Sequence, residues 1–216
     1  MHNTVKNLIY IEELIKSKAN HDKLPTIIAV SKTFPIENIL PLIEHGHLHY
    51  GENKVQEAMD KWKDVKTQNE SIKLHLIGKL QTNKVKFALR VFDYIHSLSS
   101  EKLATKIAGE QEKQGKKPKI FIQVNIGAEE QKSGINKENL IDFYNYCKNL
   151  NLNIIGTMCI PPNDTNTAIY FSEMSEINQK LNFTELSMGM SSDYLEAIKN
   201  NATYIRVGSS IFGNRD

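Results

Sequence analysis

The chain alternates regularly between short apolar segments and longer segments whose apolar residues recur at helical spacing. This alternation constrains the fold most, because parallel strands need long crossover connections and helices usually supply them. No linker or repeat interrupts the pattern, so it predicts parallel βαβ units in one domain spanning residues 1–216. The eight segments with strand character are residues 27–32, 47–51, 74–78, 94–98, 119–125, 154–160, 186–190 and 204–208.

Eight helical segments alternate with these strands, and the first of them precedes the first strand. Eight units predict an α/β fold, a closed (β/α)8 barrel of the TIM type with an extra N-terminal helix. An open, doubly wound sheet is the alternative, and the strand count favours the barrel. A chain of 216 residues is near the small end for this fold, so its loops must be short. The helical segments are residues 4–18, 36–44, 53–62, 83–89, 137–150, 171–181 and 193–199, with one more that Ser100 caps.

Charge and composition argue against several classes of protein. The formal net charge is +2 and lysines are interleaved with acidic residues, so the basic block of a nucleic-acid-binding protein is missing. No apolar run approaches the ~18 residues that span a membrane, and the first residues lack the apolar core of a signal peptide. Cys147 and Cys159 do not make a disulfide framework. We expect a cytoplasmic protein that binds neither nucleic acid nor membrane.

Lys32 lies at the end of the first apolar strand. An ammonium group in an apolar setting must be paired, reach solvent or lose its charge. A lysine that has lost its charge is a nucleophile for carbonyl compounds. Judged on this segment alone, a lysine that reaches into water is the more common case. The other strand ends decide between the two roles, because a barrel carries its active site where its strands end.

The last two strands end in small and hydroxyl-bearing residues. Gly208 and Ser209 follow the eighth strand, and Ser191 follows the seventh. These two loops form the usual phosphate site of the fold, since small side chains let phosphate oxygens approach backbone N–H groups. Ser191 is equally suited to cap the helix after it. Alternation places Arg206 on the same strand face as Gly208. Arg206 could therefore bind a ligand at the barrel mouth, and the alternative is that it forms an ion pair with a nearby acidic residue.

Two further groups of residues could bind ligands. His45, His47 and His49 recur at alternate positions, which on a strand would place them on one face and allow a zinc site. Gly46 marks a turn or helix end there, so we expect no metal. Lys132 could contact a second anion, although a solvated loop is the simpler interpretation.

Seven short motifs run in order over nearly the whole chain. They are AVSK at 29–32, YGENKVQE at 50–57, HLIGKLQTNK at 75–84, QKSG at 131–134, GTMCIPP at 156–162, LSMGMS at 186–191 and RVGSSIFG at 206–213. Together they resemble the pyridoxal phosphate homeostasis proteins (the YggS/PROSC group), which are related to the barrel domain of alanine racemase. The string as a whole is highly specific to that family.

The resemblance implies that Lys32 carries pyridoxal 5′-phosphate as an internal aldimine and that Arg206 faces the pyridine nitrogen. It also implies that Asn53 lies near the ring. The departures from the family's pattern are small, and the one nearest the ring is Thr157, where leucine is usual; it could alter the packing there. The other residues that we assign to the cofactor are Met188, Ser191, Gly208 and Ser209.

The implied function is intracellular homeostasis and delivery of pyridoxal phosphate without catalytic turnover. We expect a monomer that contacts pyridoxal-phosphate-dependent apoenzymes transiently. The alternative is an amino-acid racemase that uses Lys32 as a base, and a class I aldolase-like barrel would share the lysine but not the motifs. Racemisation needs an acid–base group on each face of the α-carbon. Alternation places neither Tyr50 nor Tyr204 at the mouth, so the sequence supplies one such group.

Two more considerations favour the carrier over the racemase. Racemase relatives have a second, β-rich domain, whereas the predicted barrel here extends to within a few residues of Asp216. An arginine at the pyridine nitrogen also leaves the ring a weaker electron sink than an aspartate or glutamate would.

Overall fold

Eight parallel strands form a closed barrel in the computed structural model, which describes residues 1–18, 24–163 and 167–213. Each strand pairs with the next in sequence, and the last pairs with the first. The predicted (β/α)8 barrel is therefore confirmed. The strands are β1 (Thr26–Val30), β2 (His49–Glu52), β3 (Lys73–Leu76), β4 (Tyr94–Leu98), β5 (Lys119–Val124), β6 (Ile154–Cys159), β7 (Glu185–Met190) and β8 (Tyr204–Val207).

Helices connect the strands, and the predicted N-terminal helix precedes β1. A short helix directly after β8 was not predicted. Two 3₁₀ turns, Thr82–Lys84 and Lys137–Asn139, lead into the fourth and sixth helices. The helices are α1 (Asn3–Lys18), α2 (Ile36–Glu44), α3 (Val55–Gln68), α4 (Val85–Val91), α5 (Glu101–Gln114), α6 (Leu140–Asn149), α7 (Thr167–Lys180), α8 (Tyr194–Lys199) and α9 (Ser209–Phe212).

Strand alternation divides the apolar residues between two layers. In β1, Ile27 and Ala29 point outward into the large core under the helices, whereas Ile28 points into the barrel. Burying an isoleucine side chain stabilises the fold by about 1.5–3 kcal/mol. The cluster inside the barrel consists of Ile28, Tyr94, Phe121, Met158 and Tyr204.

Helix α1 packs against the end of the chain. It buries Leu8, Ile11 and Ile15, and the Asn7 side chain donates a hydrogen bond to the Ile211 carbonyl (2.9 Å). Ile211 belongs to α9, which follows β8 directly, so the N-terminal helix supports one of the two predicted phosphate loops.

Helix and strand boundaries differ from the predicted ones at several ends. Strand β1 ends at Val30, two residues before Lys32, although the Ser31 N–H still pairs with the Gly51 carbonyl (3.0 Å). Strand β2 begins at His49, because the chain first turns at Gly46 (φ +94°). Among the described residues, no helix is long and apolar enough to cross a membrane.

Candidate functional site

A cavity of about 830 Å³ opens at the C-terminal ends of the strands. The structure brings six of the seven predicted residues together there: Lys32, Asn53, Ser191, Arg206, Gly208 and Ser209. Apolar side chains from several strand ends complete the wall, so the polar residues face a partly apolar space. The other residues that line it are Val30, Phe34, Ile77, Ile160, Met190, Ser192, Ser210 and Gly213.

Met188 is the predicted residue that does not line the cavity. Its side chain is fully buried in the core between the barrel and the helices. Gly189 has φ +89°, which interrupts the alternation of β7, so Met190 turns to the cavity in place of Met188. The assignment of Met188 to the cofactor therefore stays a prediction, and it is one that the position of this side chain does not support.

The backbone around Lys32 is held in an unusual conformation. Thr33 has φ +70°, which is rare for a β-branched residue. Its N–H donates to Glu57 Oε1 (2.7 Å), and the Ser31 hydroxyl on the other side donates to Glu52 Oε1 (2.8 Å). Both neighbours of Lys32 are thus fixed by carboxylates, which orients this lysine and limits its motion.

Lys61 on α3 connects these two carboxylates. Its ammonium group lies 3.0 Å from Glu52 Oε1 and 3.2 Å from Glu57 Oε1, and it also donates to the Ser31 carbonyl (2.9 Å). Trp62 Nε1 donates to the same Glu52 oxygen (3.0 Å). We did not predict this cluster from the sequence. The i,i+4 spacing of Glu57 and Lys61 was a signal that could have indicated part of it.

Glu57 shows how the cluster acts electrostatically. Burial raises the pKa of its carboxyl, but the Thr33 N–H and Lys61 outweigh that effect and hold the pKa below its usual value. The carboxylate therefore stays ionised as an acceptor for the backbone next to Lys32.

Lys61→Met should lower the free energy of unfolding by about 3 kcal/mol, because it leaves the fully buried Glu52 carboxylate without its cation. Urea denaturation would measure the loss. The matched control is Lys63→Met on the exposed side of the same helix, which should change the value by less than about 0.5 kcal/mol. Equal losses in both variants would contradict a specific role for Lys61.

Ser191 links the loops after β7 and β8. Its hydroxyl oxygen accepts hydrogen bonds from the backbone N–H groups of Gly208 (3.2 Å) and Ser210 (3.4 Å). Ser191 does not cap α8, because Asp193 precedes that helix and its carboxylate accepts from the Met190 N–H (2.6 Å). An oxygen in the place of the Ser191 hydroxyl thus meets two N–H donors, the arrangement that binds a phosphate oxygen.

Arg206 is buried at the mouth of the barrel. It donates to the Ser187 hydroxyl (2.7 Å) and to the Cys159 carbonyl (2.9 Å). Burial lowers the pKa of the guanidinium from its ordinary value. Because an arginine has donors only, its remaining N–H groups suit an acceptor atom in the cavity.

The other candidate residues lie away from the cavity. His45 ends α2 while His49 begins β2, so the three alternate histidines do not share a strand face. Within residues 1–18, 24–163 and 167–213, no cluster of histidine, cysteine or acidic side chains suits a metal ion. Lys132 pairs with Glu129 and donates to the Pro161 carbonyl (3.0 Å).

Thr157 and the two tyrosines also point elsewhere. We expected that Thr157 could alter the packing near the ring. Its hydroxyl instead donates to Asn178 on α7 (2.8 Å), so the side chain faces the helices and not the mouth. Tyr50 packs against Trp62 outside the barrel, and Tyr204 lies in the cluster inside it. Among the residues that the structure describes, those lining the cavity supply one amine, one guanidinium, an amide and a set of hydroxyl and N–H donors. That set suits a small molecule with a carbonyl, an acceptor atom and a phosphate.

Comparison with known proteins matches the whole barrel. The family model for the N-terminal domain of alanine racemase covers residues 11–216. A pyridoxal phosphate homeostasis protein of Aquifex aeolicus is 35% identical over 215 residues, 95% of this chain and 93% of that protein. Its namesake in Pasteurella multocida is 34% identical over 227 residues, 98% and 97% of the two chains. The structure of PipY from Synechococcus elongatus PCC7942 with PLP bound has a TM-score of 0.87 at 32% identity, covering 97% and 100%.

Proposed function

The chain belongs to the family of pyridoxal phosphate homeostasis proteins, which has the alanine racemase N-terminal barrel, and we propose that it binds pyridoxal 5′-phosphate at its barrel mouth. The observation that carries this proposal is the convergence of Lys32, Arg206 and the Ser191–Gly208 contact on one cavity. When bound, the cofactor supplies an aldehyde that condenses with amines and a ring that withdraws electrons.

Lys32 is the residue that holds the cofactor covalently in this proposal. A lysine attached as an internal aldimine must keep its amine aimed at one carbon atom, and the two anchored neighbours Ser31 and Thr33 provide that orientation. Asn53 lines the wall near the ring. Its backbone packs closely against Gly78, where an added Cβ atom would lie 2.8 Å from the Asn53 Cα, so a larger residue than glycine would displace Asn53.

The phosphate is assigned to the loops after β7 and β8. A phosphate oxygen would replace the Ser191 hydroxyl oxygen as the acceptor for the N–H groups of Gly208 and Ser210. The hydroxyls of Ser191 and Ser209 line the same cavity and would be further donors. Gly208 lines the cavity without a side chain, so phosphate oxygens can approach its backbone N–H.

The proposal treats the protein as a carrier that does not turn over substrate. Among the described residues that line the cavity, Lys32 and Arg206 are the only ones with titratable side chains. Arg206 donates hydrogen bonds but does not exchange protons near neutral pH. Racemisation needs a second acid–base group, and neither Tyr50 nor Tyr204 lines the mouth. In this proposal the protein is a monomer, and it releases the cofactor to apoenzymes through transient contacts.

Mixing the purified protein with pyridoxal phosphate tests this function. A yellow complex should form, and borohydride should bleach it because it reduces the imine. The complex should leave L-alanine and D-alanine unchanged in chirality over hours. A protein that stays colourless would refute cofactor binding, whereas steady inversion of either amino acid would establish the racemase instead.

A further inference from the structure

A chain of buried polar side chains crosses the barrel interior. It starts at His49 and leads through His75 and His96 to Ser187, which contacts Arg206. His49 Nδ1 lies 2.9 Å from His75 Nε2, and His75 Nδ1 lies 2.9 Å from His96 Nε2. His96 Nδ1 lies 2.9 Å from Ser187 Oγ, which lies 2.7 Å from the Arg206 guanidinium. This row of hydrogen-bonded side chains therefore runs from the N-terminal end of the barrel to the cavity.

Hydrogen-bond accounting gives this chain a direction. Arg206 has only donors, so Ser187 Oγ accepts from it. Ser187 is fully buried, and its other recorded partner is His96 Nδ1. If His96 donated here, the serine hydrogen would be left unpaired at a cost of about 1–3 kcal/mol. Ser187 therefore donates to His96.

The direction then passes from ring to ring. A His96 ring that accepts at Nδ1 carries its hydrogen on Nε2 and donates to His75 Nδ1. His75 likewise donates from Nε2 to His49 Nδ1. His75 and His96 each use one donor and one acceptor, and His49 accepts at Nδ1. All three neutral rings therefore take the same tautomer, with the hydrogen on Nε2. Such a row of aligned bonds strengthens each member by about 10–30%.

The surroundings keep the two inner rings neutral. Burial holds the pKa of His75 and of His96 well below the ordinary value, and Arg206 adds to this effect at His96. Protonating His75 would set its Nδ1–H against the Nε2–H of His96. Protonating His96 would direct its Nδ1–H at the Ser187 hydroxyl, which already accepts from Arg206 and would lose the acceptor for its own hydrogen. His75 stacks on Tyr94 (4.1 Å between centroids) and His96 on Phe121 (4.3 Å), which fixes both ring planes.

We propose that His49, His75, His96 and Ser187 form a polarised relay that positions the Arg206 guanidinium as a hydrogen-bond donor toward the acceptor atom of the bound ligand. This role rests on the proposed function, in which that atom is the pyridine nitrogen. The relay residues do not touch the cavity, so they are positioning residues. Their effect is to hold Arg206 where it keeps the ring nitrogen unprotonated.

Two-dimensional ¹H–¹⁵N spectra of the cofactor-free protein at pH 7.5 test the direction of the relay. His75 and His96 should both carry their hydrogen on Nε2, and His96→Phe, which retains ring stacking, should identify the signals. Hydrogen on Nδ1 of either residue would overturn the relay. This result does not depend on cofactor binding, so it separates failure of the relay from failure of the proposed function.

Titration of the visible band tests the effect on Arg206. Ser187→Ala and His96→Phe should each weaken cofactor binding, by about tenfold for Ser187→Ala. Both should shift the pH midpoint of the band by about half a unit or more. Ser187→Thr keeps the hydroxyl and should restore both values, and His47→Asn, a histidine outside the relay, should change neither. If Ser187→Ala binds and titrates as the wild type does, the relay does not position Arg206.

Discussion

The Lys32→Ala protein should form no yellow complex and should bind pyridoxal phosphate at least about 100-fold more weakly, a loss of about 2.8 kcal/mol or more. The variant keeps the hydroxyl and N–H donors around Ser191 and Gly208. Reversible binding through the phosphate therefore remains, while the covalent bond is lost. Equilibrium dialysis measures the affinity, and the visible spectrum reports the imine.

Two further variants separate the possible causes of this loss. Lys32→Arg keeps a positive charge at the wall but forms no stable imine, so it should also be colourless. Lys79→Ala removes an exposed lysine that follows Gly78 and does not line the cavity, and it should remain yellow. A full visible band in Lys32→Ala would show that another lysine holds the cofactor.

Mild acid should destabilise the protein steeply, between pH 6.5 and about pH 4. Burial lowers the pKa of His47 to about 4 and holds the pKa of His75 and His96 well below 6.5. These rings are neutral in the folded protein and gain a proton on unfolding, so their contribution to stability is complete above pH 6.5 and declines below it. Each group contributes a slope of about 1.4 kcal/mol per pH unit, so the three together give about 4.

Urea denaturation at pH 7.5, 6.0 and 5.0 would measure this slope. His96→Phe retains the stacking on Phe121 and should lower the slope by about 1.4 kcal/mol per pH unit. His45→Gln, at an exposed position, is the control and should leave it unchanged. A free energy of unfolding that stays constant from pH 7.5 to pH 5.0 would contradict neutral, buried histidines.

Much of the fold could be predicted because the barrel depends on local patterns. Short apolar segments that alternate with helical spacing predicted the eight strands and their order, and the boundaries of β4 and α2 were correct to the residue. Alternation also predicted that Arg206 and Gly208 share one face of the last strand, and both line the cavity.

The features that were missed depend on contacts between distant parts of the chain. The positive φ of Gly189 turns Met190, and not Met188, toward the cavity, and no local pattern indicated this turn. The relay joins His96 to Ser187, 91 positions apart, through the interior of the closed barrel, and no local pattern indicates such a contact. The sequence also left open whether Ser191 caps α8, and the structure shows that its hydroxyl instead contacts the loop after β8.

Peptide mapping of the borohydride-reduced complex tests the central claim most directly. The protein is loaded with pyridoxal phosphate, reduced, digested and analysed by mass spectrometry. The account predicts one reduced cofactor per chain, attached to the peptide that contains Lys32. Cofactor on other lysines such as Lys79 or Lys132, with Lys32 unmodified, would contradict it.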